Sequence, residues 1–363
     1  MAAAEVDAVP GDIQFEDVVM CVDCHPSKPI AATGCIDGTV TIHSYAVNKN
    51  ECKRTHKHHK KSCRDLKFSL GGNRLYTAGK DKSLWCIDVE TGGIRRKIKP
   101  AHETAINSLL VTGERFVVTG DDDGTLKLWD MRSKAATMEL KECDDFISDM
   151  MIDQDQRILL AASGDGTLSA FNIRQKKLVM QSELHDSELL SLCAVKEQRK
   201  VVCGSGDGIL YLFNWGEWGN MSDRFPGHPA SITSMVRLTD DIVCTGSSDG
   251  KIRAVNILPN RFIGVVGEHE FDVEGLALSH DRQVLLSCSH DQCVKFWSVS
   301  DVGKEKINAS KKALSANKSK KLGTTKQTDF FAGFAEQDGQ ENVDGEDDDD
   351  DEDDDSDDDS ESD

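Results

Sequence analysis

The sequence predicts an all-β fold in which seven four-stranded sheets close into a ring, and the first observation behind it is a fixed interval. Asp81, Asp123, Asp165, Asp207, Asp249 and Asp291 stand 42 positions apart, with Asp37 leading the series by 44. Self-similarity at such a period marks a repeat architecture whose units cannot each bury an apolar face alone. The second observation is that Gly38, Gly124, Gly166, Gly208 and Gly250 directly follow five of these aspartates. Asp-Gly suits a tight hairpin, because Gly takes positive φ freely and Asp bonds within its own turn. The third is the content of one unit. Residues 106–111, 116–119, 125–129 and 137–140 are short β-rich runs separated by Gly, Asp or Arg-Ser turns. Four strands with their turns consume one interval, and seven intervals fill the chain from about Gly11 to Gly303.

The third and seventh units carry a recurring polar set, His102, Thr119, Asp123, Trp129 and His269, Ser287, Asp291, Trp297. With Trp129-Asp130 this pattern resembles the WD-repeat β-propeller family, which implies a seven-bladed WD-repeat β-propeller. The resemblance further implies that each set forms a buried hydrogen-bond chain, and satisfied chains of that kind specify one packing. The sixth unit keeps His228, Thr245 and Asp249 with Val255 in place of Trp; the fifth has His185 and Asp207 with Cys203 and Phe213. The fourth has Cys143 and Ala161 where His and Ser or Thr belong, so aromatic or apolar packing is expected to hold it.

A closed ring needs its last sheet completed, since an open outer edge invites aggregation. Residues 12–17 precede the first inner strand and have no sheet of their own, so they are expected to pair with residues 293–298. The expected organisation is a flexible N-terminus over 1–10, the propeller over 11–303, a lysine-rich linker over 304–335 and a disordered acidic tail over 336–363. The net charge of −21 is concentrated at the end: residues 344–363 hold 16 carboxylates, leaving −5 for residues 1–343. The ring itself is near neutral. No apolar run approaches the length of a membrane span and the start carries acids, so neither a span nor a secretory signal is expected.

The 12 cysteines fall singly, several within predicted strands such as Cys86, Cys193, Cys203, Cys244 and Cys288, and read as buried fillers of a reducing compartment. Cys21, Cys24 and His25 match a haem-attachment spacing, but on an inner strand. Cys52, His56, His59 and Cys63 could be drawn as a zinc site, but in a lysine-filled segment that repels a dication. No cofactor, metal or small-molecule substrate is expected. Asp121, Asp122 and Asp123 are adjacent carboxylates on a hairpin with no base or nucleophile beside them, so no enzyme is expected either.

Binding is the remaining class. Lys57, Lys60 and Lys61, with Lys80 at the next hairpin and Lys99 beyond it, are expected to crowd one sector of one face and to suit RNA phosphates or another partner. Asp122 and His290 are further candidates at hairpin tips. Trp129-Asp-Met-Arg132 resembles the box of WD-repeat substrate receptors of cullin-RING ubiquitin ligases, which implies an adaptor contact for Arg132. Past the ring, Lys311-Lys312 and Lys318-Ser-Lys320-Lys321 suit a nuclear import signal. Phe330, Phe331 and Phe334 suit a short docking motif, and Ser356 and Ser360 precede acids at the spacing of acid-directed kinases.

The stretches from Tyr211 to Phe225, from Asp249 to Arg261 and from Thr328 to Phe334 closely resemble the WD repeat-containing protein 55 family, a eukaryotic family linked to the nucleolus and ribosomal RNA production. Phe334 stands where Leu is expected. The resemblance implies a nuclear and nucleolar scaffold whose partners are proteins of pre-ribosomal complexes, with RNA or basic proteins as further ligands. The ligase receptor is the alternative.

Overall fold

The computed structural model describes residues 9–302, and its strands form seven four-stranded antiparallel sheets with no helix among the described residues. The lysine-rich and acidic segments, with Phe330, Phe331, Phe334, Ser356 and Ser360, lie outside the described residues. The first six blades span residues 19–56, 63–98, 106–141, 147–181, 189–226 and 232–268, and the seventh spans 273–298 with one strand from the N-terminal side. In the third blade the strands are Ile106–Val111, Phe116–Asp121, Thr125–Asp130 and Met138–Lys141, close to the sequence expectation.

Each sheet buries both faces against its neighbours, so its second strand is apolar and buried along nearly its whole length; Ile242–Ser247 is buried throughout. The outer strands face water and alternate or turn polar, as Glu51–His56 does. Apolar layers fill the gaps between blades. One of them joins Tyr76, Ala78 and Leu84 of the second blade to Ile106, Leu109, Val117 and Trp129 of the third. Each fully buried large side chain there contributes roughly 1.5–3 kcal/mol.

Two loop sets define two faces of the ring. The hairpins between second and third strands meet the loops that enter the next blade, and this is the hairpin face. Gly208 shows why that approach needs glycine: φ is 79°, and a Cβ there would stand 2.4 Å from the carbonyl oxygen of His228. On the opposite face the first-to-second and third-to-fourth connections meet, tied by Met131 N donating to Arg115 O at 2.9 Å and Ile173 N to Arg157 O at 2.9 Å.

The inner strands surround a polar channel of about 590 Å³, lined among others by Asp23, Asp65, Lys67 and Asp149. Side chains on these strands sew one blade to the next. Asp23 accepts from Phe68 N at 2.7 Å, Asp65 from Leu109 N at 2.7 Å and Asp149 from Leu192 N at 2.8 Å. Ser108 donates to Ile147 O and Ser191 to Ile232 O, both at 3.1 Å, and Thr233 donates to Val273 O. Between the seventh and first blades no such stitch occurs among the described residues; Gly275 stands there.

That seam is closed from outside instead. Ile13–Gln14 adds to the edge of Cys293–Ser298, with Ile13 opposite Val294 and Gln14 opposite Cys293. Phe15 N donates to Gln292 O at 2.8 Å, while its ring meets His43 of the first blade edge-on at 5.6 Å. The expected closure is present, though the pairing is only two residues long because Phe15 turns toward the first blade.

Candidate interaction surfaces and buried polar networks

The seventh blade carries the expected network in full. His269 Nε2 lies 2.6 Å from Ser287 Oγ, Nδ1 lies 2.7 Å from Asp291, and Trp297 Nε1 donates to Ser287 Oγ at 2.8 Å. In the third blade His102 Nε2 lies 2.6 Å from Thr119 Oγ1 and Trp129 Nε1 donates to the same oxygen at 2.8 Å. The carboxylate there is Asp121, 2.9 Å from His102 Nδ1, and not Asp123, which is exposed at the hairpin tip. Asp121 also accepts from Thr125 N at 2.8 Å and Asp123 N at 3.1 Å, so it both caps the turn and holds the imidazole. A carboxylate two residues earlier in the hairpin wins because it can do both.

The second blade holds a further network, built on His59 of the lysine-filled segment. His59 Nδ1 lies 3.0 Å from Asp81 and Nε2 2.9 Å from Thr77 Oγ1, while Trp85 Nε1 donates to Ser83 Oγ at 2.8 Å. His58 also reaches Thr77, at 3.0 Å. The readable signal was spacing: His59 precedes Thr77 by 18 residues, as His269 precedes Ser287. With both nitrogens engaged, His59 is a strut, which removes the drawn zinc site.

The weaker blades replace network members as their sequences suggest. Cys143 donates to Ser169 Oγ at 3.6 Å in the fourth, and His185 stacks on Tyr211 at 4.5 Å in the fifth. In the sixth, His228 Nε2 sits 2.9 Å from Thr245 Oγ1, but Asp249 turns to Arg253 at 2.9 Å and leaves His228 Nδ1 buried without a partner. Burial, with Arg253 nearby, lowers its pKa to about 4. A histidine whose folded pKa is depressed stabilises when neutral, so its contribution is lost as pH falls from about 6.5 toward 4. His228→Gln is expected to remove about 2 kcal/mol of the stability difference between pH 7 and pH 5. Urea titrations at the two pH values check this; an unaltered difference refutes it.

The basic sector is thinner than the sequence suggests. Lys99 is committed to the buried Asp81 at 2.9 Å. Lys57 lines a cleft of about 380 Å³ with Glu16, Asp17 and Asp37. Lys60, Lys61 and Lys80 remain exposed on the hairpin face, their loops fixed by Lys60 N donating to Asp81 at 3.2 Å and Lys80 N to Ser62 O at 2.9 Å. The other tip residues are paired: Asp122 with Arg64, and His290 with Glu274 at 2.7 Å. Arg132 lies on the opposite face, its Nε 2.9 and 3.0 Å from the two oxygens of Asp130. That pair holds the Asp130 carboxyl at about 2.

Seven four-stranded blades, the third and seventh tied inside by complete His–Ser/Thr–Trp networks, define a WD-repeat β-propeller. A family model described as WDR55 matches residues 10–302, the whole described ring. The chain belongs to the WDR55 family. The protein named WD repeat-containing protein 55 from Danio rerio is 46% identical over 349 residues, covering 94% of this chain and 90% of that relative. Those of Rattus norvegicus and Homo sapiens are 41% and 40% identical, covering 95% and 93% of this chain and 92% and 89% of the relatives.

Proposed function

We propose that this chain is a non-catalytic scaffold of the nucleus and nucleolus that supports ribosomal RNA production and ribosome biogenesis. Family membership along the whole ring carries this reading, because the resemblance to that family implies nucleolar work. The chemistry of the ring supports the non-catalytic part. His59, His102 and His269 each have both ring nitrogens engaged inside a blade, whereas a general base needs a nitrogen facing substrate. Its partners are proteins of pre-ribosomal or nucleolar complexes.

The test is pulse labelling of precursor ribosomal RNA after depletion, with the tagged full chain purified in parallel. Reduced precursor and recovery of pre-ribosomal proteins are expected; unchanged precursor with a chain outside the nucleolus overturns the reading. The ligase-receptor reading has less support, because the Arg132 guanidinium is held by Asp130. Recovery of a cullin adaptor that is lost in Arg132→Ala would reverse that order.

A further inference from the structure

The ring carries an exposed basic surface on one face of the third and fourth blades and an exposed acidic one on the other face of the fourth and fifth. On the face opposite the hairpins, Arg115, Lys134, Arg157, Arg174, Lys176 and Lys177 are all exposed. None of them has an ion pair among the described residues, and they are drawn together by the fold. Lys176 Nζ donates to Thr137 O at 2.7 Å, tying the last turn of the fourth blade to the outer strand of the third. Arg115 and Arg157 sit at equivalent places, each with its carbonyl holding the neighbouring turn. Four carboxylates share these loops, fewer than the bases: Asp130 holds Arg132, Asp153 accepts from Arg157 N and Ile158 N, Glu114 accepts from Gly71 N at 2.6 Å, and Asp155 is exposed. Phe116, beside Arg115, is 40% exposed.

The hairpin face of the fourth and fifth blades is the reverse, presenting Asp144, Asp145, Asp186, Glu188 and Asp207, all exposed. A polyanion is therefore drawn to the basic face of the third and fourth blades and repelled from the hairpin face of the fourth and fifth. We infer that the Arg115–Lys177 face of the third and fourth blades is a docking surface for the phosphate backbone of single-stranded RNA, with Phe116 as a stacking platform for a base. Free phosphate or a lipid headgroup has no use for the exposed ring; a flexible strand with bases does. Arginine forks suit phosphate oxygens better than the three lysines left at the blade-two loop. The choice of RNA over DNA rests on the proposed function; the basic face does not.

The experiment uses the full chain and a short fluorescent oligouridylate, with anisotropy read between about 50 and 200 mM salt. The wild type is expected to bind with a log–log salt slope of about −3, as for roughly four phosphate contacts on a single strand. Arg157→Glu with Arg174→Glu and Lys177→Glu is expected to weaken binding at least about tenfold and flatten the slope by about 2, with an unchanged melting curve. Phe116→Ala is expected to weaken binding at an unchanged slope, while Lys60→Glu with Lys61→Glu and Lys80→Glu is expected to bind as the wild type does.

No binding at low salt overturns the inference, as does loss with the Lys60 variant but not with the Arg157 variant. Sedimentation provides the other arm. Concentration-dependent stacks dispersed by the Arg157 variant, without RNA binding, would assign the basic face to the acidic face of a second copy. Failure on any of these counts leaves the scaffold reading standing, since that is measured on precursor RNA and co-purified proteins.

Discussion

Asp81→Ala is expected to cost about 3–5 kcal/mol, the range found when one partner of a buried ion pair is removed. The Asp81 side chain is 3% exposed and meets His59 at 3.0 Å and Lys99 at 2.9 Å. It also accepts from Lys60 N at 3.2 Å and from Ser83 Oγ. Burial raises its pKa, but the hydrogen bonds from His59, Ser83 and Lys99 outweigh that and hold the carboxyl far below the usual carboxylate range. Its partner responds in the other sense. Burial lowers the His59 pKa, yet Asp81 and the neighbouring Cys63 together outweigh it and push it up to about 9.

The pH window follows from the two signs. Asp81, depressed in the fold, stabilises above about pH 4 and loses that contribution as pH falls further. His59, raised in the fold, stabilises fully below about pH 6.5 and loses it as pH rises through 9. The loss in Asp81→Ala is therefore greatest between about pH 4 and 6.5. Asp123→Ala is the control, because that carboxylate is exposed and outside the network; a change within about 0.5 kcal/mol is expected for it. Equal losses in the two variants would show that the blade-two network holds nothing.

Deleting residues 1–17 is expected to lower stability by at least about 3 kcal/mol and to broaden the melting transition. The deletion removes the two ladder residues that pair with Val294 and Cys293. It also removes Ile13, 9% exposed, from a cluster with Val294 and Phe296. What makes the loss large is the seam. Every other blade junction has a side-chain stitch across its inner strands, from Asp23 to Phe68 through Thr233 to Val273, while the junction of seventh and first blades relies on apolar contact and the added strand. An opened seam also exposes the edge of Cys293–Ser298 to pairing between chains. Calorimetry and light scattering check both effects; an unchanged, sharp transition would show that the ring closes without the N-terminal strand.

The ring was legible because its signals are local and repeated. The aspartate interval counts the blades, Asp-Gly marks their hairpins, and a leftover segment before the first inner strand pointed to the closure. The networks were legible only where His, Ser or Thr, Asp and Trp all keep their places, as in the seventh blade. In the third, the 42-residue spacing points to Asp123, but the network carboxylate is Asp121. The choice was made by backbone amides of Thr125 and Asp123 converging on one carboxylate. In the second blade His59 stands among lysines in the sequence, and only the fold brings Thr77 and Asp81 onto it.

The charged surfaces divide in the same way. By itself the sequence determined the number of sheets, the strand order within each, the place of the closing strand and the near-neutral ring ahead of an acidic end. Only the tertiary structure decided which charges are free. Of the lysines dense in sequence, Lys99 pairs with an acid brought by another segment and Lys57 shares a cleft with three more, while Arg115, Arg157, Arg174 and Lys177, scattered along the chain, come to one face with no ion pair among the described residues. Hairpin chemistry acts over a few residues and can be read in order, but an ion pair depends on distance in space, which the 42-residue interval folds back on itself.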